Sequence, residues 1–217
     1  MERITLLDGA SGTRLWALAE AAGVPKAPTW SYNLSHPELV TQIGREYVEA
    51  GSEILYANTF AANRLSVKDG EASVAAAVRA GVEAAKAAAG DAARVAMDVG
   101  PLTAMLEPYG DLGEAEAEEI FAEQIGAGMD AGAELIVLET FMDLNLLKCA
   151  VHAAKKYDAP LLCSMTFNAN GRTLAGDRVE EVVAALEALG ADAVGMNCSP
   201  EPETGILQRR QTGIRLL

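Results

Sequence analysis

Residues 190–199 read Gly190-Ala191-Asp192-Ala193-Val194-Gly195-Met196-Asn197-Cys198-Ser199: glycine punctuation, a short apolar run, and a polar tip. The same layout occurs at Ala50-Gly51-Ser52-Glu53, where an apolar run leads to Asn58-Thr59-Phe60. It occurs again at Ala131-Gly132-Ala133-Glu134, which leads to Glu139-Thr140-Phe141, and Leu161-Leu162-Cys163 leads to Met165-Thr166-Phe167. Each copy predicts a helix closed by glycine, a short turn, a buried strand and a polar strand end. Cys198 takes the place that Thr59 and Thr140 hold in the other copies. A thiol where its equivalents carry hydroxyls is the chemical oddity of the chain.

Working outward, 217 residues predict one domain with ample length for a core. Half of the residues are apolar and only 5% are aromatic, so alanine and branched aliphatics carry the packing. A net charge of −14 argues against a nucleic-acid or anionic-membrane partner, because phosphate binding needs a basic surface. No apolar stretch approaches the roughly 20 residues of a membrane span, and Met1 to Asp8 lacks the pattern of a secretory leader. Cys149, Cys163 and Cys198 are too widely spaced for a disulfide framework or a CxxC pair. A cytoplasmic location is the expectation.

In chain order, Ile4 to Leu7 predicts a first strand that stops at Asp8-Gly9-Ala10-Ser11-Gly12-Thr13, where glycines allow a tight turn and a close backbone approach to a ligand. An ordinary turn with Asp8 as a helix cap fits those residues equally well. Pro25 to Ser35 reads as a polar loop, and Ser35-His36-Pro37 as a helix start with a capping serine. His36 is a helix-entry residue on this reading. Strands are predicted at Ile54–Ala57, Arg94–Val99, Leu135–Leu138, Pro160–Met165 and Ala193–Met196. Helices are predicted near 71–89 and 114–131, from Asp143 or Asn145 onward, and from a cap at Asp177 to Leu189. The acidic run Glu114, Glu116, Glu118 and Glu119 suits the positive end of a helix and reads as a solvated face. Cys149 and Cys163 read as packed core thiols. Glu139 follows four aliphatics, and a carboxylate there must find a partner or a cavity.

Strand and helix alternating with glycine punctuation predict a parallel α/β fold. Asp8, Thr59, Asp98, Glu139 and Cys198 fall at the ends of different strands, which suits a (β/α)8 TIM-type barrel with its site spread around one rim. A doubly wound nucleotide binder concentrates its signal in one glycine-rich turn, and the chain has no GxGxxG or Walker motif. Six strands are read where a barrel has eight, so the barrel is expected to be truncated after strand six. The domain division is then 1–203 for a barrel lacking its last two βα units and 204–217 for an atypical basic tail carrying Arg209, Arg210 and Arg215.

Asp8-Gly9-Ala10, Asn58-Thr59-Phe60-Ala61-Ala62-Asn63-Arg64, Asp98-Val99-Gly100-Pro101, Glu139-Thr140-Phe141 and Asn197-Cys198-Ser199 together resemble the homocysteine S-methyltransferase family. The likeness is greatest to the N-terminal module of cobalamin-dependent methionine synthase and runs from Ile4 to about Ser199. It implies a methyltransferase in which a zinc-activated homocysteine thiolate accepts a methyl group, from methylcobalamin or methylfolate, to give methionine. It implies substrate binding by Asp8 and Glu139 at the amino group and by backbone amides near Gly9 and Thr59 at the carboxylate. It implies Cys198 as one zinc ligand. The family's two further cysteines are absent, so activity of the chain as written is expected to be impaired. Cobalamin, on a partner module, and folate-binding modules are the implied partners. Two other readings stay open: a non-catalytic amino-acid-binding module, and an unrelated TIM-barrel enzyme using Glu139 as acid or base.

Overall fold

The computed structural model describes residues 4–68 and 72–199. The chain divides into two compact units, Met1–Asp98 with Glu123–Leu135, and Val99–Ala122 with Ile136–Leu217. The basic stretch 204–217 lies outside the described residues.

The first unit holds α1 (Ser11–Ala21), α2 (Tyr32–Ser35), α3 (Pro37–Glu49), β1 (Ile54–Tyr56), α4 (Val74–Ala89) and, up to Asp98, β2 (Arg94–Val99). β1 and β2 run parallel, with Leu55 opposite Val95. Short aliphatics on both strands are buried, as expected of strands covered on two faces. α4 presents Val74, Ala77, Val78 and Val82 to the core and starts at Ser73, whose hydroxyl accepts the Ala76 amide N–H. Its alanines let it pack close. A side chain at Gly81 would lie 2.6 Å from Asn33 Nδ2 and 3.1 Å from the Asn58 carbonyl, so glycine is what brings α4 against the end of β1.

The second unit holds, from Ile136 on, β3 (Leu135–Phe141), then α6 (Leu144–Ala154), β4 (Leu161–Met165), α7 (Val179–Ala188) and β5 (Ala193–Met196), with α5 (Glu114–Asp130) divided between the units. β4 lies between β3 and β5 and is parallel to both. The β3–β4 register slips between Leu138 and Phe141, and that irregularity re-aims Glu139 and Thr140. Phe141 is fully buried against Phe121, with ring centroids 5.9 Å apart. Asp143 caps α6, accepting the amides of Asn145 and Leu146.

Several expectations need correction. Ile4–Leu7 forms no strand: Leu7 makes a single parallel bridge to Ile54, and Ile4 and Leu6 are exposed. Its backbone pairing includes the bonds Glu53 N–H to Leu6 O and Asp8 N–H to Ile54 O, and with Ile4 and Leu6 left exposed by the described residues the apolar run gains little from burial. Five named strands result among the described residues. Residues 25–35 are no plain polar loop: they hold a 3₁₀ turn (Thr29–Ser31) and α2, with Trp30, Tyr32 and Asn33 buried. The Tyr32 hydroxyl folds this segment on itself by donating to Pro25 O and accepting from Ala27 N. Ser35 does not cap α3, because its hydroxyl is committed to Ser31 O, but Pro37 opens that helix as expected. Asp177 does not cap α7: its carboxylate takes the Thr173 hydroxyl, and Glu181 accepts the Arg178 amide instead.

Candidate functional site

In the first unit, Asp8 and Gly9 stand where the bridged segment meets α1. Asp8 does not cap that helix; its Oδ2 accepts the Tyr56 amide at 2.8 Å, tying the turn to the end of β1. Gly9 is exposed on one side, and a side chain there would lie 2.9 Å from the Tyr47 hydroxyl. Tyr47, on α3, donates to Ala10 O at 3.2 Å and so underlies the turn. Burial pushes its phenol up, with the charges of Asp8 and Glu46 adding to the effect. A small cavity is lined here by Asp8, Ser11, Tyr47, Tyr56 and Asn58, among others.

The end of β1 is held from behind. Asn33 is 2% exposed, and its amide donates to Asn58 O at 2.7 Å and Ala77 O at 2.9 Å while accepting from Asn58 Nδ2 at 2.7 Å. Thr59 is wholly buried. Its hydroxyl donates to Asp98 O at 2.7 Å and accepts the Asp98 amide, its own amide bonds to Ala57 O, and its carbonyl accepts Gln124 Nε2. The Thr59 side chain therefore joins the ends of β1 and β2.

In the second unit, Glu139 and Thr140 end β3, and Asn197 and Cys198 follow β5. With β4 between them, β3 and β5 are roughly 9–10 Å apart by normal strand spacing. Asn197 closes that span over the small Ser164. Its Oδ1 accepts the Thr140 amide at 3.0 Å and the Ser164 hydroxyl at 3.0 Å. Its Nδ2 donates to Thr140 Oγ1 at 2.7 Å, to Glu139 Oε2 at 3.2 Å, and lies 3.7 Å from Cys198 Sγ. The Thr140 hydroxyl donates to the same sulfur at 3.8 Å. Thr140 and Cys198 both have left-handed backbone, φ +64° and +50°. At Thr140 that is an outlier for a β-branched residue, and two left-handed non-glycine residues meeting at one set of strand ends is the pattern of stored strain at a functional site. Burial raises the Glu139 carboxyl above its ordinary value.

Cys198 is exposed, whereas Cys149 and Cys163 are buried. Burial, reinforced by Glu114 and Glu118, pushes the Cys149 thiol up to about 11; burial, reinforced by Asp192, pushes Cys163 to about 12. Because only thiolate reacts, brief iodoacetamide treatment at pH 8 is expected to label Cys198 alone, with the other two labelled only after denaturation. Peptide mass spectrometry reads this directly, and early labelling of Cys163 would contradict the burial described. Among the described residues no group of three His, Cys, Asp or Glu side chains is arranged to hold a metal.

Tyr47 and Asn33 are contributors that the sequence did not single out, and Asn197 enters there only as part of the motif Asn197-Cys198-Ser199. Tyr47 is one of the apolar-face residues of α3, and Asn33 sits in the stretch that reads as a polar loop. Asn197 had a usable signal, a polar side chain at a strand end beside the exceptional cysteine.

A model of the family described as homocysteine S-methyltransferase matches residues 5–209. Methionine synthase of Mycobacterium tuberculosis is 27% identical over 223 residues, covering 93% of this chain and 18% of that protein. Betaine–homocysteine S-methyltransferase 1 of Rattus norvegicus is 28% identical over 194 residues, covering 86% of this chain and 47% of that protein. The chain thus spans less than half the length of either relative. The metallated form of the homocysteine methyltransferase MmuM from Escherichia coli has a similar fold: TM-score 0.81 at 22% identity, over 99% of this chain and 81% of that one.

Proposed function

The chain belongs to the homocysteine S-methyltransferase family, and from that membership we propose that it is a homocysteine-binding, (β/α)8-type domain that presents the substrate sulfur for methylation. The observation that carries the reading is the second unit's cluster: a half-buried carboxylate, Glu139, and an exposed thiol, Cys198, bonded to one asparagine at adjoining strand ends. A desolvated carboxylate is a strong partner for an α-ammonium group, since pairing with a cation offsets the cost of its ionisation. In this reading Glu139 and Asp8 receive the amino group, and backbone amides about Gly9 and Thr59 the carboxylate. Methyl transfer then forms a C–S bond to give methionine, with the thiol proton released and the donor losing its methyl group. The donor is methylcobalamin or methylfolate, carried on partner modules, in a cytoplasmic enzyme.

Zinc in a site with one open position takes three protein ligands, and the described residues do not fit it by themselves. Cys198 would be one ligand; among the described residues no group completes the set. The roles assigned to this chain's own side chains are therefore binding and orientation. The same observation favours a second reading, a non-catalytic module that recognises the amino and carboxylate groups of an amino acid.

Calorimetric titration of the full chain tests the proposal. Homocysteine is expected to bind about 100-fold more tightly than 4-mercaptobutanoate, its analogue without the amino group, the worth of one charge-assisted contact to a half-buried carboxylate at about 2–3 kcal/mol. Equal affinities, or no binding of either, would refute it. Homocysteine binding that a chelator leaves unchanged, together with no methyl transfer from methylcobalamin or methylfolate, would favour the second reading.

A further inference from the structure

Resting on the reading that Glu139 receives the substrate's ammonium group, we propose that Asn197 is a positioning residue that sets amino-group recognition. It does so by orienting the Glu139 carboxylate and by holding Thr140 in its left-handed conformation.

The bonds leave little freedom in the asparagine's own orientation. A backbone N–H can only donate, so the atom facing the Thr140 amide at 3.0 Å is the carbonyl oxygen Oδ1. The amide nitrogen then faces Glu139 Oε2, an acceptor when ionised. Both ends of the side chain are thereby committed, one to backbone and one to the recognition carboxylate. An N–H held against one carboxylate oxygen fixes the rotation of the group about its last bond and so the direction of the other oxygen.

The second role follows from φ +64° at Thr140. A threonine pays for that conformation because its branched Cβ crowds the backbone. Asn197 bonds to both the amide and the hydroxyl of this one residue, which is how the surrounding structure can hold a backbone state the residue would otherwise leave. Glu139 is its immediate neighbour. If Thr140 relaxed toward an ordinary conformation, the peptide joining the two residues would rotate and carry the carboxylate with it.

Nδ2 also has three acceptors within reach and only two hydrogens. Thr140 Oγ1, at 2.7 Å, takes one; Glu139 and the Cys198 sulfur compete for the other. The amino-recognition end and the thiol end of the cluster thus meet at a single amide group.

The test compares two ligands across three forms of the full chain. In Asn197→Ala the preference for homocysteine over 4-mercaptobutanoate is expected to fall about tenfold, the size of one hydrogen bond to a charged group. Affinity for 4-mercaptobutanoate should stay within about twofold. A residue that merely supports the fold would weaken both ligands alike, and that result would overturn the proposal. Adding Thr140→Gly to Asn197→Ala removes the penalty for left-handed backbone. The double variant is therefore expected to regain thermal stability without regaining the preference. Failure to regain stability would refute the backbone role, and recovery of the preference would refute the carboxylate role. Should the unmodified chain itself show no preference, the functional reading fails first, and this inference with it.

Discussion

Replacing Glu139 by glutamine is expected to weaken homocysteine binding by about 100-fold or more while leaving 4-mercaptobutanoate unaffected. The neutral amide keeps the shape of the side chain and can still accept from Asn197, but it offers an ammonium group no charge. At the same time the variant is expected to be more stable than the parent at neutral pH. Burial raises the Glu139 carboxyl above its ordinary value of 4.5, so the folded chain holds that proton more tightly than the unfolded chain. Well below 4.5 the group is protonated in both states and the two proteins should melt together. As pH rises through 4.5 the unfolded state loses its proton first, and the parent's stability falls until the folded carboxyl has ionised as well. The difference in melting temperature should open over that window and then stay constant. Such an exchange of stability for recognition is the usual signature of a binding group held in an unfavourable setting. A variant that melts with the parent at pH 7.5 and binds homocysteine normally would remove Glu139 from the site.

Asn33→Ala is the second large effect, and it acts on the fold. The substitution removes three bonds of 2.7–2.9 Å and leaves the buried carbonyls of Asn58 and Ala77 without that partner. At about 1–3 kcal/mol for each buried group so exposed, the loss should be about 3 kcal/mol after local relaxation. For a chain of this size that lowers the melting temperature by roughly 6–12 °C. Because Asn33 holds Asn58, the end of β1 next to Thr59 should loosen, which amide hydrogen exchange at residues 57–60 would report. A melting temperature within one degree of the parent would show that water or a neighbour satisfies those groups equally well.

The five strands after residue 50 are legible because a parallel strand covered on both faces must be an unbroken aliphatic run, and such runs stand out between glycines. Arg94–Val99 and Ala193–Met196 agree with the reading residue for residue, and the others within one to three residues at an end. The same logic fails at Ile4–Leu7, where the composition is right but Ile4 and Leu6 are left exposed by the described residues. It fails again at 25–35, where Trp30 and Tyr32 are buried inside a segment that looks polar on average. Helix starts were read well where a side chain caps its own turn, as at Asp143, and poorly where a distant group had already claimed the capping atom, as at Ser35 and Asp177.

What the sequence determined by itself was class and family: alternating parallel α/β units, a net charge of −14, and a carboxylate and a thiol at predicted strand ends. Those follow from periodicity and residue type, which are local properties. Only the tertiary structure decided that Asp8 ties its turn to β1 and that Thr59 is a buried link between strands. It alone placed Asn197 across β4 to join Glu139, Thr140 and Cys198. Residues 139 and 197 are far apart in the chain, and what joins them is a bulge, a small residue at Ser164 and two left-handed backbones. No spacing along the sequence records that juxtaposition, because it exists only once β3, β4 and β5 have paired in register.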